Sequence, residues 1–296
     1  STADEVYVLD SDITNDDGTC MTIGASGITL DCKGFTIDGD ADSSGYGVII
    51  NNAAYDDLTI KNCIIQQFAR NLYVGASSDN IRIENSSLLS GYYDGMLTYS
   101  VNNMYIVNSS FSGVNEHGAY ITTSSSVPNS NWTIINSTFT GGSSSSDYGA
   151  YISSMYNSTI KGSKFTGTTS GAYGMYINRG DNNTIVNNTI ISNAYISFRL
   201  YTVNNSLVEN NTIRSGASWG LYLSTYNNNN IIRNNDVGAR YAMYLSESDN
   251  NTLEENNFTS TTGYSRMRFS DYNNFTENNF TSDTSYGLWF YTDNTN

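Results

Sequence analysis

The sequence has few of the residues that binding to nucleic acid or to a membrane requires. Its 296 residues include one proline, one histidine, three cysteines and only 13 lysines and arginines, against 28 acidic residues and a formal net charge of −15. The basic residues are scattered singly, so no basic stripe is available to a phosphate backbone or an anionic lipid surface. No run of about eighteen apolar residues is present to span a bilayer. We therefore expect no nucleic-acid partner and no membrane span.

The residues that are abundant predict strands joined by polar turns. The chain contains 25 glycines and 24 tyrosines and is rich in Asn, Ser and Thr, a composition that favours sheet over helix. Together with the acidity and the shortage of lysine, it predicts an exported protein at the cell surface. Asn-x-Ser/Thr sequons are candidate glycosylation sites, although such a composition also generates them by chance. They lie at Asn85, Asn108, Asn131, Asn136, Asn157, Asn182, Asn187, Asn204, Asn210, Asn250, Asn257, Asn274 and Asn279.

A short motif, glycine followed by apolar, aromatic and apolar residues, recurs along the chain. Its clearest copies are at 118–121, 149–152, 174–177 and 220–223, and degenerate copies begin at positions 47, 71, 95, 197, 242, 266 and 287. About ten residues after each copy but the last comes a second strand with two apolar residues five positions apart, as at Ile185 and Ile190. A fixed period of roughly two dozen residues is typical of a solenoid.

Stacking these repeats predicts an all-β fold, a right-handed single-stranded parallel β-helix of about eleven coils. We expect residues 1–22 to form an N-terminal cap and residues 23–296 to form one solenoid domain with an incomplete last coil. Between the paired apolar residues, asparagines should stack in a ladder that satisfies turn backbone and neighbouring side chains. They are Asn62, Asn85, Asn108, Asn136, Asn187, Asn210 and Asn234, and Gly162 interrupts the run.

The repeat resembles that of a known family. Its Asn-Asn-Thr-Ile-x-Asn-Asn-Thr-Ile rhythm at 182–190 is similar to the parallel β-helix repeats of pectin-lyase-like and NosD-like proteins. Segment 28–39 is similar to the opening coil of archaeal cell-surface and S-layer-associated β-helix proteins. The resemblance implies the solenoid fold over nearly the whole chain. It does not choose a function, because the same solenoid carries lyases, hydrolases, epimerases, adhesins and inert scaffolds.

One column of residues suggests chemistry. Arg70, Asp94 and His117 precede the motif in three consecutive coils, and Glu116 is adjacent. Such a set could bind an acidic sugar and move a proton. The alternative is a solvated turn column in which Asp94 forms an ordinary surface ion pair. The clustered aspartates of pectin-type hydrolases and the calcium sites of pectate-type lyases are not recognisable in matching coils.

A second column, predicted to point outward, is aromatic and basic. Three interpretations remain open: cross-strand packing of the sheet, contact with a neighbouring subunit, and glycan binding. Besides Leu97, the column consists of Tyr73, Tyr120, Tyr151, Tyr176, Arg199, Tyr222, Tyr244, Arg268 and Trp289.

The N-terminal segment offers a possible metal site and a disulfide. Asp10, Asp12, Asp16 and Asp17 could hold a calcium ion, or could simply be a solvated cap. Three cysteines cannot all pair within one chain. We expect a disulfide between Cys20 and Cys32, with Cys32–Cys63 as the alternative.

These observations lead to a ranking of functions. The first is a non-enzymatic extracellular structural protein that self-associates into a surface layer, sheath or filament, because no capping helix and no second strand follow the last motif copy. The second is a carbohydrate-binding adhesin that uses the aromatic column. The third is a polysaccharide lyase or hydrolase.

Overall fold

The computed structural model describes residues 2–52, 55–75, 77–123, 128–144 and 146–291, with backbone only at 15 and 16. The described residues form strands and turns but no helix, and hence no helix that could cross a membrane. Three long parallel sheets run the length of the molecule, and each coil contributes one strand to each sheet. The predicted parallel β-solenoid is confirmed.

The first sheet, sheet A, contains the first strand of every coil. Its strands are β1 Val6–Val8, β4 Thr29–Asp31, β7 Thr59–Lys61, β10 Arg82–Glu84, β13 Tyr105–Val107, β17 Thr133–Ile135, β20 Thr159–Lys161, β23 Thr184–Val186, β26 Leu207–Glu209, β29 Ile231–Arg233, β32 Thr252–Glu254 and β35 Asn274–Thr276.

The second sheet, sheet B, follows after a short corner. Its strands are β2 Ile13–Asp16, β5 Thr36–Gly39, β8 Ile64–Gln66, β11 Ser87–Gly91, β14 Ser110–Gly113, β18 Thr138–Thr140, β21 Lys164–Gly167, β24 Thr189–Ser192, β27 Thr212–Ser215, β30 Asp236–Ala239, β33 Asn257–Ser260 and β36 Asn279–Ser282.

The third sheet, sheet C, carries the repeated motif. Its strands are β3 Met21–Thr22, β6 Tyr46–Ile50, β9 Arg70–Val74, β12 Met96–Tyr99, β15 Ala119–Thr122, β19 Ala150–Tyr156, β22 Met175–Asp181, β25 Phe198–Asn204, β28 Trp219–Ser224, β31 Tyr241–Ser246, β34 Ser265–Arg268 and β37 Leu288–Tyr291, and the short β16 Asn129–Ser130 pairs with β19.

The described solenoid has twelve coils, where the sequence predicted about eleven. The additional coil lies in residues 1–22, the predicted cap, since β1, β2 and β3 pair with the strands of the next coil in all three sheets. The segment is therefore the first coil of the solenoid. Its repeat is hard to find in the sequence because it has no copy of the glycine-aromatic motif.

The core is a narrow apolar column between the sheets. The apolar residues five apart point inward from sheets A and B, as predicted, and Ile185 and Ile190 are fully buried. Phe111, Phe139 and Phe165 occupy the same position in three successive coils, where their rings stack with centroids 4.9 and 5.0 Å apart. Parallel stacking places like residues one strand spacing apart, so each core position is a ladder of similar side chains.

The predicted asparagine ladder lies one residue away from the buried one. Asn187 and the asparagines aligned with it, at the corner between sheets A and B, have left-handed backbone, and Asn187, with a φ of 57°, is exposed. Asparagine tolerates this conformation, and so does glycine, which explains Gly162 with a φ of 62° in the same run.

The buried ladder uses the residue that follows each corner asparagine. The side-chain oxygen of Asn211 accepts the backbone N–H of Asn188 at 2.9 Å, and its Nδ2 donates to the carbonyl of Ile185 at 2.9 Å. Ser163 serves the preceding coils in the same way by accepting the N–H of Ser137 at 3.1 Å. The left-handed residue places its own side chain outside, so the next residue points in.

The disulfide joins Cys32 to Cys63, so the prediction of Cys20–Cys32 is wrong and its alternative is correct. Both cysteines lie at the corner between sheets A and B in adjacent coils, with their Cα atoms 4.8 Å apart, within the range that a disulfide spans. Cys20 precedes β3 of sheet C and packs partly buried against the core. Proximity in sequence gave the wrong pair because stacking brings together residues one coil apart.

Candidate functional site

The outer face of sheet C carries an almost unbroken line of aromatic and basic side chains, which we call the tyrosine ladder. Strand pairing aligns its members one per coil. They are Tyr73, Leu97, Tyr120, Tyr151, Tyr176, Arg199, Tyr222, Tyr244, Arg266 and Trp289.

One member differs from the sequence prediction. Arg266 pairs with Tyr244 and Trp289, whereas Arg268, the predicted member, pairs with Ser246 and Tyr291. Both arginines point outward with the buried Met267 between them, so alternation alone does not distinguish the two registers. The register is set by burying Ser265 at the preceding inward position and leaving Phe269 40% exposed.

The rings of the ladder mostly pack against one another. Tyr120 and Tyr151 stack with centroids 4.9 Å apart and planes 16° apart, and Tyr222 and Tyr244 stack at 4.9 Å and 7°. Stacking covers the ring faces, so these tyrosines offer ring edges and hydroxyl groups to solvent. Cross-strand packing, one of the three interpretations of the column, is therefore part of its role.

A second aromatic row flanks the ladder. Tyr148 and Tyr173 meet edge to face at 4.9 Å, while Trp219 stacks on Tyr241 at 4.6 Å and on Tyr244 at 4.9 Å. Burial raises the pKa of the Tyr173 hydroxyl. It also raises the pKa of Tyr176 and Tyr222, and nearby Arg199 opposes both shifts. These phenols stay protonated at neutral pH and can donate hydrogen bonds.

Arg199 interrupts the ladder and is surrounded by rings. Its guanidinium carbon lies 4.8 Å from the ring centre of Tyr176 and 5.5 Å from that of Tyr222, with Tyr173 and Tyr201 also within 6 Å. One terminal amine donates to the hydroxyl of Tyr173 at 3.1 Å. Attraction between the cation and the ring faces holds the arginine in place.

The ladder passes a polar cleft of about 540 Å³ near Tyr99 and Tyr120. Arg70, Asp94 and His117 all line this cleft, so the structure does bring the three predicted residues together. Glu116 and Asp147 line it too. Asp147 was missed in the sequence, although it lies directly before the aromatic row in the next coil, at Tyr148.

Asp94 is 1% exposed and both its oxygens are engaged. Oδ2 accepts from Arg70 Nε at 3.0 Å, and Oδ1 accepts from the backbone N–H of His117 at 3.2 Å. Burial raises the pKa of Asp94 to about 7, with Glu116 adding to the shift and Arg70 opposing it. Asp94 therefore positions Arg70 and the His117 backbone, and little of it can meet a ligand.

His117 forms no side-chain bond to Asp94. Its Nδ1 accepts the backbone N–H of Tyr148 at 3.1 Å, and its ring stacks on that of Tyr148 with centroids 4.8 Å apart. Because Nδ1 is an acceptor, the neutral ring carries its proton on Nε2. Burial lowers the pKa of His117 to about 4, with Arg70 adding to the shift, so the ring is neutral at physiological pH.

The two shifted groups predict opposite pH dependences. The folded protein keeps a proton on Asp94 between pH 3.8 and about 7, so this group lowers the free energy of unfolding as pH rises through that range. His117, with its pKa lowered from 6.5 to about 4, raises the free energy of unfolding as pH rises between those values. Chemical denaturation of Asp94→Asn at several pH values should show, relative to wild type, a gain growing to on the order of 4 kcal/mol at pH 7.

A variant of the histidine supplies the control. His117→Gln should show the reverse trend relative to wild type, a loss that grows between pH 4 and 6.5. Curves of both variants that run parallel to the wild-type curve would contradict the assignment of these titrations to the cleft.

The predicted metal-binding aspartates do not form one group. Carboxylate oxygens of Asp17, Asp40 and Asp42 lie within 4.8 Å of one another, all exposed. Asp12 instead accepts the backbone N–H of Thr36 at 2.7 Å, and Asp10 accepts from Ser11, while the side chain of Asp16 lies outside the described residues. An exposed acidic triad is thus available to a cation, with different members from those predicted.

The sequon asparagines lie on the surface. All are exposed except Asn204, which is half-buried. Many occupy left-handed corners and bond to the corner asparagine of the neighbouring coil, as Asn108 does to Asn85 at 3.2 Å. Glycosylation of these residues stays a prediction.

Comparison with known proteins agrees with this architecture. Residues 125–296, more than half of the chain, match the family model described as right handed beta helix region. No curated protein sequence matches the chain.

Several solved structures share the fold at low sequence identity. A mutant of the periplasmic alginate epimerase AlgG matches with a TM-score of 0.64 and 16% identity over 82% of this chain, which spans 64% of the epimerase chain. The Streptococcus pneumoniae surface protein and adhesin PfbA matches with a TM-score of 0.63 and 10% identity, over 99% of this chain and 90% of PfbA. The Dettilon tailspike protein matches with a TM-score of 0.61 and 12% identity, over 96% of this chain and 61% of the tailspike. Such identities establish the fold alone.

Proposed function

This chain belongs to the right-handed β-helix family, and we propose that it is a surface or extracellular protein that binds an extended polysaccharide along the tyrosine ladder. One observation carries the proposal. A line of tyrosine, tryptophan and arginine side chains runs along the outer face of sheet C from Tyr73 to Trp289 and passes a polar cleft on the way. A linear polymer is the ligand whose shape suits a linear, regularly spaced surface.

The chemistry of this surface suits a sugar chain. Phenol hydroxyls and guanidinium groups donate hydrogen bonds, and a saccharide presents hydroxyl and ring oxygens that accept them. Because the ring faces cover one another, hydrogen bonding at ring edges replaces the face-on sugar stacking that the sequence suggested. Structural neighbours support a surface or carbohydrate-related role by analogy, since they include an alginate epimerase, a surface adhesin and a tailspike.

Binding to a glycan array, followed by titration calorimetry of the hits, tests the proposal. Replacing Tyr176 and Tyr222 together by serine removes the two rings beside Arg199 and should weaken affinity at least about tenfold. The matched control is Tyr105→Ser, which removes a half-buried tyrosine from sheet A. A wild-type protein that binds no glycan, or a control that loses as much affinity as the double variant, would overturn the proposal.

Self-association, ranked first from the sequence, would use the same surface. Partly buried tyrosines also suit contact with a second copy, but closing an interface over the cleft would cost the desolvation of Glu116 and Arg70. Electron microscopy of the native material distinguishes the two roles. Filaments or sheets with the ladder at subunit contacts would support assembly, and isolated rods would contradict it.

Catalysis, ranked third, is disfavoured by the geometry of the cleft. Both oxygens of Asp94 are occupied, and the imidazole of His117 accepts a backbone hydrogen bond where a general base needs a free nitrogen. We therefore assign the cleft to binding.

A further inference from the structure

Two arginines of the tyrosine ladder stand at matching places along it. Arg199 and Arg266 are separated by two coils, which carry Tyr222 and Tyr244. Three strand spacings put them roughly 14 Å apart along the solenoid axis. The stacked rings of Trp219, Tyr222 and Tyr244 lie between them. The arrangement is an aromatic platform with a guanidinium group at each end.

Neither guanidinium has a carboxylate partner within the described part of the chain. The ion pairs found there use Arg70, Arg82, Arg214 and Arg233, and also Lys61, each with an Asp or Glu. In a protein with 28 acidic residues, an arginine held among rings and away from every carboxylate keeps its charge uncompensated.

The inner nitrogen of each arginine is also unsatisfied. Nε of Arg199 and Nε of Arg266 are buried and have no hydrogen-bond partner. A buried donor without an acceptor costs about 1–3 kcal/mol. An anion that approached the platform and accepted from the guanidinium groups would offset part of that cost.

The rings add to the same preference. An aromatic ring is negative over its faces and positive around its edge, and here the faces are covered by stacking while the edges remain. Guanidinium groups, phenol O–H donors and ring edges together present a positive surface on an otherwise acidic protein.

We infer that the segment of the ladder from Arg199 to Arg266 recognises an anionic polysaccharide, whose regularly spaced acidic groups contact both guanidinium groups at once. The inference rests on the proposed function and names its ligand class. The planar guanidinium pairs with a carboxylate through two parallel hydrogen bonds, which a neutral sugar does not offer.

The test compares matched ligands that differ only in charge. Uronate oligosaccharides and their carboxyl-reduced, neutral counterparts are titrated into the full chain by calorimetry at fixed ionic strength. Wild type is expected to bind the uronate series at least about tenfold more tightly, and Arg199→Gln or Arg266→Gln should each lower that affinity about tenfold. The double variant should bind both series equally. The control Arg233→Gln removes the same charge from sheet A and should keep the preference.

Length and failure separate the claims. Oligosaccharides too short to reach from one arginine to the other should respond to only one of the two substitutions. Equal wild-type binding of charged and reduced ligands, or a preference that survives in the double variant, would overturn the anionic inference and leave glycan binding in place. Binding of neither series, with folding verified by circular dichroism, would overturn the proposed function itself.

A sulfated oligosaccharide series identifies the acidic group. Tighter binding of the sulfated than of the uronate series, lost in the same double variant, would assign the guanidinium groups to sulfate and support recognition of an anionic chain. Sulfate binding that the double variant retains would count against the two arginines.

Discussion

Replacing Ile185 by Asp is expected to unfold the solenoid around β23 and to lower the free energy of unfolding by at least about 5 kcal/mol. Ile185 is fully buried between β20 and β26, where it pairs with Ile160 and Val208. A carboxylate there has no cation and no donor to compensate the loss of water. Because each coil is held by its two neighbours, the disruption should spread along the stack.

Chemical denaturation followed by far-ultraviolet circular dichroism measures this effect. The matched control is Val186→Asp, one residue further along the same strand. Val186 points outward and is half-buried, so the new charge stays hydrated and the loss should be about 1 kcal/mol. Equal losses in the two variants would mean that the alternation of β23 is assigned to the wrong face.

Replacing Asn211 by Ala is expected to cost about 3–6 kcal/mol, more than its loss of volume explains. The substitution leaves without partners the backbone N–H of Asn188 and the carbonyl of Ile185, and it also removes the contact to Oδ1 of Asn235 at 3.0 Å. All of these groups are buried. The measurement is again the free energy of unfolding by chemical denaturation.

Two further variants separate the buried ladder from the corner. Asn211→Ser should retain about half the stability, because serine accepts the same backbone N–H at Ser163. Asn210→Gly should change stability by less than about 1 kcal/mol, since glycine fits the left-handed corner as it does at Gly162. A larger loss from Asn210→Gly than from Asn211→Ala would reverse the assignment of the two positions.

The buried ladder and the tyrosine ladder have complementary roles. The first satisfies backbone groups inside the corner between sheets A and B, and the second covers the outer face of sheet C. Substitutions in the first should alter stability with no specific effect on ligands. Substitutions of Arg199 or Arg266 should alter binding with little change in stability, since no ion pair of theirs is lost.

The sequence by itself determined the fold and the inward-facing residues. Apolar residues at fixed spacing, such as Ile185 and Ile190, can be buried in parallel coils in only one way, because alternation fixes the face of each strand. The outward aromatic column followed from the same alternation. The column of Arg70, Asp94 and His117 was also found correctly, since residues one period apart become neighbours.

Only the tertiary structure decided the details that depend on backbone conformation and on packing between coils. The left-handed corner moved the buried ladder from Asn210 to Asn211, and stacking of adjacent coils paired Cys32 with Cys63. Burial of Met267 opposite Leu245 placed Arg266 in the tyrosine ladder. The bonds of Asp94 and the covered ring faces are likewise contacts between coils. A repeat pattern gives the period of such contacts, but a shift of one or two residues within a coil leaves the pattern unchanged while it changes every partner.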